Sequence, residues 1–68
     1  MFVVVEVQSN SDGTVGTLVN NYESEQEAAS KYHQILASGA VSQIYKHCAF
    51  ILSDDGYCTK SEGYRHEQ

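Results

Sequence analysis

Apolar and polar positions change period along this chain, and each change marks an element. Phe2 to Gln8 begins with the run Val3, Val4, Val5 and then alternates through Glu6, Val7 and Gln8, the pattern of a strand. Val15 to about Tyr22 reads as a second strand. The stretch "NSDGT" between them supplies a hairpin turn, since Asp12 and Gly13 tolerate the positive φ values that tight hairpins need. Ser24 with Glu27 three residues on forms a capping box at a helix start. Ala28, Ala29, Tyr32, Ile35 and Leu36 then recur at three- and four-residue spacing as one apolar stripe, with Glu25, Lys31 and Gln34 on the opposite side. Gly39 is expected to end this helix in a left-handed cap. Ile44 to Leu52 reads as a third strand and "SDDG" as a second turn. Tyr57 to about Arg65 makes a fourth strand, more polar and so nearer an edge.

The order ββαββ predicts an α+β fold, a four-stranded antiparallel sheet with one helix packed on one face, and a single domain over residues 1–68. One helix covers one face only. The pleat sends Val3, Val5 and Val7 one way and Phe2 and Val4 the other; it likewise separates Ile44, Cys48, Phe50 and Leu52 from Ala49 and Ile51. Both faces are therefore partly apolar. A chain of 68 residues has a small core, so the second face or a strand edge is expected to be buried by another copy, making a homo-oligomer. A few exposed valines on an ordinary surface are the plainer alternative.

The two cysteines narrow the choice of what else supports such a core. Cys48 and Cys58 have no C-x-x-C spacing, which removes zinc-finger and redox motifs. With the "SDDG" turn, Cys58 is expected opposite Ile51 and Cys48 three residues further along, roughly 10 Å away, beyond bridging reach. Free thiols, a start without a basic leader pattern and no stretch of membrane-spanning length together predict a soluble intracellular domain. Nine acidic against four basic residues give a formal net charge of -5, which argues against long nucleic acid as a partner. It leaves room for a small anionic ligand at a locally positive spot.

Candidate chemistry is sparse. His33, His47 and His66 fall on the helix, the third strand and the tail, without metal-ligand spacing, and read as three separate solvated histidines. No metal or cofactor is expected. Cys48 cannot pair with His47 as a nucleophile and base, because strand neighbours point to opposite faces. Asp54 and Asp55 before Gly56 are ordinary turn chemistry. The sequence therefore predicts no enzyme.

Most of the remaining cations gather at one place. If the third and fourth strands pair around their turn, Lys46 comes near the Gly63 end of the fourth strand, close to Tyr64, Arg65 and His66 of the terminal "YRHE". With Tyr45 added, this sheet end offers cations, flat rings and donors, the groups that hold a phosphate and a base or ribose. The candidate ligand-binding residues are thus Tyr45, Lys46, Tyr64, Arg65 and His66. A salt-bridged strand rim with a frayed tail is the competing reading.

The valine-rich start, "NSDGTVGTLV", the helix "EAASKYHQILASGAVS" and "KHCAFILSDDGY" running to "YRHE" resemble very small accessory proteins of tailed bacteriophages and prophages of Firmicutes, over nearly the whole chain. The resemblance carries no catalytic motif and no residue roles. It implies a setting in the cytoplasm of an infected host and an accessory task. One such task is neutralising a host defence component, foremost by sequestering a nucleotide immune signal in an oligomer pocket. The others are a virion or assembly interaction, or an acidic protein inhibitor of a host defence enzyme.

Overall fold

The computed structural model describes residues 1–66 and has the predicted order: β1 (Phe2–Ser9), β2 (Val15–Tyr22), α1 (Glu25–Val41), β3 (Lys46–Ser53) and β4 (Cys58–Arg65). The strands form one antiparallel sheet in the order β2-β1-β3-β4. This is the expected α+β arrangement, with α1 packed across one face. The two hairpins occupy the two halves of the sheet and meet at the β1–β3 seam, where Phe2 lies opposite Ser53 and Ser9 opposite Lys46.

Both hairpins turn in the same way. Gly13 N–H donates to the Asn10 carbonyl at 3.0 Å, and Gly56 N–H to the Ser53 carbonyl at 3.0 Å. The two glycines take φ values of +94° and +92°, a region that costs little only without a Cβ. Of the two residues that tolerate a positive φ in the first turn only Gly13 takes one; Asp12 Oδ1 accepts from the Thr14 N–H at 3.0 Å and the Thr14 hydroxyl at 2.7 Å.

The Ser24 half of the expected capping box forms at the helix start, while Glu27 takes the serine hydroxyl as its partner. Ser24 Oγ accepts from Glu27 N–H at 3.2 Å and donates to Glu27 Oε1 at 3.1 Å. Its apolar stripe then buries Ala28, Tyr32, Ile35 and Leu36 against Val4 of β1 and Ala49 and Ile51 of β3, with Phe2 and Tyr22 packed beside them. Gly39 does not end the helix, which continues to Val41 and is capped by Ser42, whose N–H donates to the Gly39 carbonyl at 3.3 Å. The glycine answers a different need. A Cβ there would stand 3.3 Å from the His47 ring and 3.4 Å from Tyr64, so its absence lets α1 approach β3 and β4 closely.

Two boundaries and one register differ from expectation. Ile44 and Tyr45 precede β3 rather than belong to it, and β4 begins at Cys58. A bulge falls between Ile51 and Leu52: Ile51 lies opposite Lys60 but Leu52 opposite Cys58, leaving Thr59 as the additional residue. Cys58, on the turn side of the bulge, lies opposite Leu52 rather than Ile51 because the turn closes at Ser53 and Tyr57, and Cys48 is opposite Gly63. Both thiols are free.

The far face of the sheet carries Val3, Val5 and Val7 of β1, Val15 and Val19 of β2, and Cys48, Phe50 and Leu52 of β3, as the pleat dictates. No helix among the described residues is long and apolar enough to cross a membrane.

Candidate functional site

The β3–β4 pairing fixes the sheet end that holds the candidate residues. Lys46 lies opposite Arg65, two positions beyond the expected Gly63: the turn closing at Ser53 and Tyr57 accounts for one and the bulge at Thr59 for the other. The backbone continues past the strand ends, with His66 N–H donating to the Tyr45 carbonyl at 2.8 Å. Glu67, the last residue of "YRHE", lies outside the described residues.

The five candidates do not share one surface. Lys46 and Arg65 stand on the uncovered side with the Tyr45 ring between them. Lys46 Nζ is 5.6 Å and Arg65 Cζ 5.3 Å from its centroid, and Arg65 Nη2 donates to the Tyr45 hydroxyl at 3.0 Å. This is cation–π geometry on both counts. Tyr64 lies opposite His47 and so faces the helix side. There its ring stacks on His66 at 6.4 Å between centroids, and His66 Nε2 donates to the Gly39 carbonyl at 2.6 Å. The tail at His66 is thus tied to the end of α1 rather than frayed. The site divides into an open cluster of Tyr45, Lys46 and Arg65, and a packed pair of Tyr64 and His66 that adds a donor to a helix-end carbonyl already shared with Ser42.

Beneath that cap lies a polar cluster that sequence reasoning missed. His47, expected to be solvated, is only 4% exposed. Its Nε2 meets Glu6 Oε2 at 2.5 Å across the β1–β3 seam, Gln8 Nε2 donates to the same oxygen at 2.9 Å, and its Nδ1 lies 3.4 Å from Ser42 Oγ. Ser42 Oγ in turn donates to the Gly39 carbonyl at 3.3 Å. With Nε2 protonated the His47 ring donates to the Glu6 carboxylate, while its Nδ1 faces the Ser42 hydroxyl. Burial by itself raises the Glu6 pKa. Hydrogen bonds from Gln8 and His47, with the charges of His47 and Lys31, outweigh it and leave the carboxyl below its ordinary value. A signal did exist: Glu6 and His47 sit at the parity of the core residues Val4, Ala49 and Ile51. Only the β1–β3 register shows that they meet.

Ser42, His47 and Glu6 follow the order of a hydrolase triad, but their setting suits a clasp. Ser42 caps the C-terminal end of α1, where carbonyls point outward, the wrong polarity to hold an oxyanion. Its hydroxyl is shared between the Gly39 carbonyl at 3.3 Å and the histidine Nδ1 at 3.4 Å. His33 is exposed on α1, far in sequence and setting from the other two histidines. No group of three metal-ligating side chains forms among the described residues.

Comparison with known proteins adds no relative: no protein-family model, curated protein or solved structure matches the chain.

Proposed function

We propose that this chain is a non-enzymatic, homo-oligomeric binding protein that captures a phosphate-bearing small molecule at the corner formed by Tyr45, Lys46 and Arg65. The observation that carries the reading is one of charge placement. The chain has four basic residues against nine acidic ones, yet two of the four converge on a single tyrosine ring. Among the described residues no carboxylate forms an ion pair with either of them. Cations left unneutralised on an acidic chain are available for an anion, and a guanidinium and an ammonium beside a flat ring suit a nucleotide. Together with the resemblance to phage accessory proteins, this favours stoichiometric capture of a host nucleotide immune signal in the infected cell.

The corresponding experiment is a thermal-shift and calorimetric screen against cyclic and ADP-ribose-type nucleotides. A binding nucleotide raises the melting temperature in proportion to its occupancy of the folded state. Lys46→Ala and Arg65→Ala are each expected to weaken binding tenfold or more, since a charged hydrogen bond contributes on the order of 1.5–3 kcal/mol. Lys60→Ala serves as the control, because Lys60 lies opposite Ile51 on the other face of the sheet. Equal binding by all three variants, or none by the parent, refutes the reading. In that case the apolar far face supports an interaction protein instead, either a virion or assembly component or an inhibitor docking on a host enzyme.

A further inference from the structure

The sheet has two edges, β2 and β4, and they are built differently. β4 carries Lys60, Glu62 and Arg65 and is bent by the bulge at Thr59, which are devices that deter a further strand from pairing. β2, with the sequence VGTLVNNY, has no charge and no proline, and its register with β1 runs unbroken from Val15 to Tyr22. It is also apolar on both sides. Val15 and Val19 are 62% and 59% exposed on the far face, and Leu18 is 57% exposed on the helix face, where α1 lies over β1 and β3 and does not reach it. A partner stacked on either face covers the valines or the leucine. Only a strand added along the edge borders both.

We infer that β2 is a self-association edge, at which two copies of this chain pair antiparallel about a twofold axis through Leu18 into one continuous sheet. Asn10 N–H donates to the Thr14 carbonyl, and hydrogen-bonded pairs alternate from there along the β1–β2 ladder. Leu18 thus turns its N–H and C=O toward Glu6 of β1, while Thr17, Val19 and Asn21 turn theirs outward to the free edge. Residues opposite one another in a sheet share a face, so the twofold must pass through a residue. At Leu18 it forms a non-hydrogen-bonded pair, the closest kind, at about 4.5 Å between Cα atoms. The two leucines then cover each other while Thr17 exchanges both backbone bonds with the partner's Val19.

A second copy fits this edge better than a foreign chain. The acidic surface attracts a basic partner, but β2 offers no charge to hold one. Two uncharged strands approach without bringing carboxylates together along their length, and Asp12 nears the partner's Glu23 only at the ends. Residues 15–21 overlap, about 24 Å of edge, which belongs with small interfaces and predicts a reversible dimer in the micromolar range. The inference deepens the oligomer part of the reading above, and it puts each cationic corner at the sheet edge away from the axis, so the two parts fail separately.

Sedimentation equilibrium from micromolar to millimolar protein tests it, with circular dichroism to confirm the fold. The parent should dimerise, Leu18→Lys and Val19→Pro should dissociate at least tenfold more readily, and Ser61→Lys on the β4 edge should behave as the parent. Val19→Pro removes an outward N–H and leaves the β1–β2 ladder intact. Amide exchange gives a readout without substitution: Thr17 and Val19 should gain protection as concentration rises, while Leu18 is protected throughout. A parent that stays monomeric, or variants that dimerise as it does, overturns the inference. Lys46→Ala should leave the dimer unchanged, so a parent that dimerises but binds no nucleotide, or a Lys46→Ala variant that dimerises and binds as the parent does, counts against the capture reading alone.

Discussion

Lys46 and His47 are neighbours in sequence and occupy opposite kinds of place. His47 is enclosed beneath the end of α1, with Glu6, Ser42 and Gln8 accounting for its polar surroundings, whereas Lys46 stands in the open beside Tyr45 and Arg65. The pleat alone separates them. On one side a charge is held by partners contributed from β1 and the helix cap. On the other, two charges share a ring, and no carboxylate among the described residues forms an ion pair with either. The first arrangement stabilises a fold because each donor and acceptor is already committed; the second keeps donors open, since Arg65 gives one hydrogen bond to the Tyr45 hydroxyl. Polar residues at one end of one strand thus divide into a clasp and a candidate site.

The largest effect expected from disturbing this division comes from the buried side. His47→Leu leaves the Glu6 carboxylate enclosed without its closest partner, and removing one member of a buried pair costs about 3 kcal/mol or more. For a domain of this size that is a large share of total stability. Urea denaturation should show it, and Glu6→Leu combined with His47→Leu should cost less than His47→Leu alone. A double variant that is the less stable would mean that the pair contributes more than avoidance of a stranded charge.

On the open side the comparable packing test is Gly63→Ala. A Cβ there would lie 2.7 Å from Cys48 Sγ and 3.1 Å from its Cα, and part of that clash is with backbone that cannot rotate away. A loss of roughly 1–3 kcal/mol is expected, again read by denaturation. If Gly63→Ala is neutral, β3 and β4 are less closely apposed than described.

Acid should weaken the clasp in a definite direction. The folded Glu6 pKa lies below its reference value of 4.5, so its contribution is present above that value and is lost as pH falls through the lower folded pKa. Melting temperature should therefore decline between about pH 6 and pH 3, and less steeply in Glu6→Gln than in the parent. A steeper decline in the variant would reverse the assigned sign.

The smallest effect on stability belongs to the exposed cluster. Lys46→Ala and Arg65→Ala should each change unfolding free energy by no more than about 0.5 kcal/mol, even where they abolish ligand binding. Substantial destabilisation would make this corner part of the scaffold rather than a site.

Much of the fold was legible because it rests on local rules. The Ser24–Glu27 box, the Ala28-to-Leu36 stripe and the two glycine turns depend on residues a few positions apart, and all four strands follow. Gly39 was misread because a glycine near a helix end signals a positive φ as readily as a close approach, and the His47 ring that requires the approach comes from another element. The bulge at Thr59 left no composition cue, and together with a turn that closes at Ser53 and Tyr57 it brought Arg65 opposite Lys46. Tyr45, Lys46 and Arg65 could be gathered from the hairpin alone. That Tyr64 and His66 turn to the other face needed the β3–β4 register and the end of α1, and that Glu6 meets His47 needed the β1–β3 pairing, which no local pattern encodes.

That seam also sets the timing of folding. Each hairpin closes within a few residues, but β1 must find β3 across the whole helix, joining Phe2 to Ser53, and such distant pairing is the slow step in small β-containing domains. While it is unmade, the valines of β1 face water on both sides. A slip of one residue would still pair apolar strands, yet it would carry Glu6 away from His47 and turn one whole strand's side chains to the wrong face. The buried pair therefore works as a key at the seam: many alignments attract, and one of them lets the carboxylate and the imidazole meet.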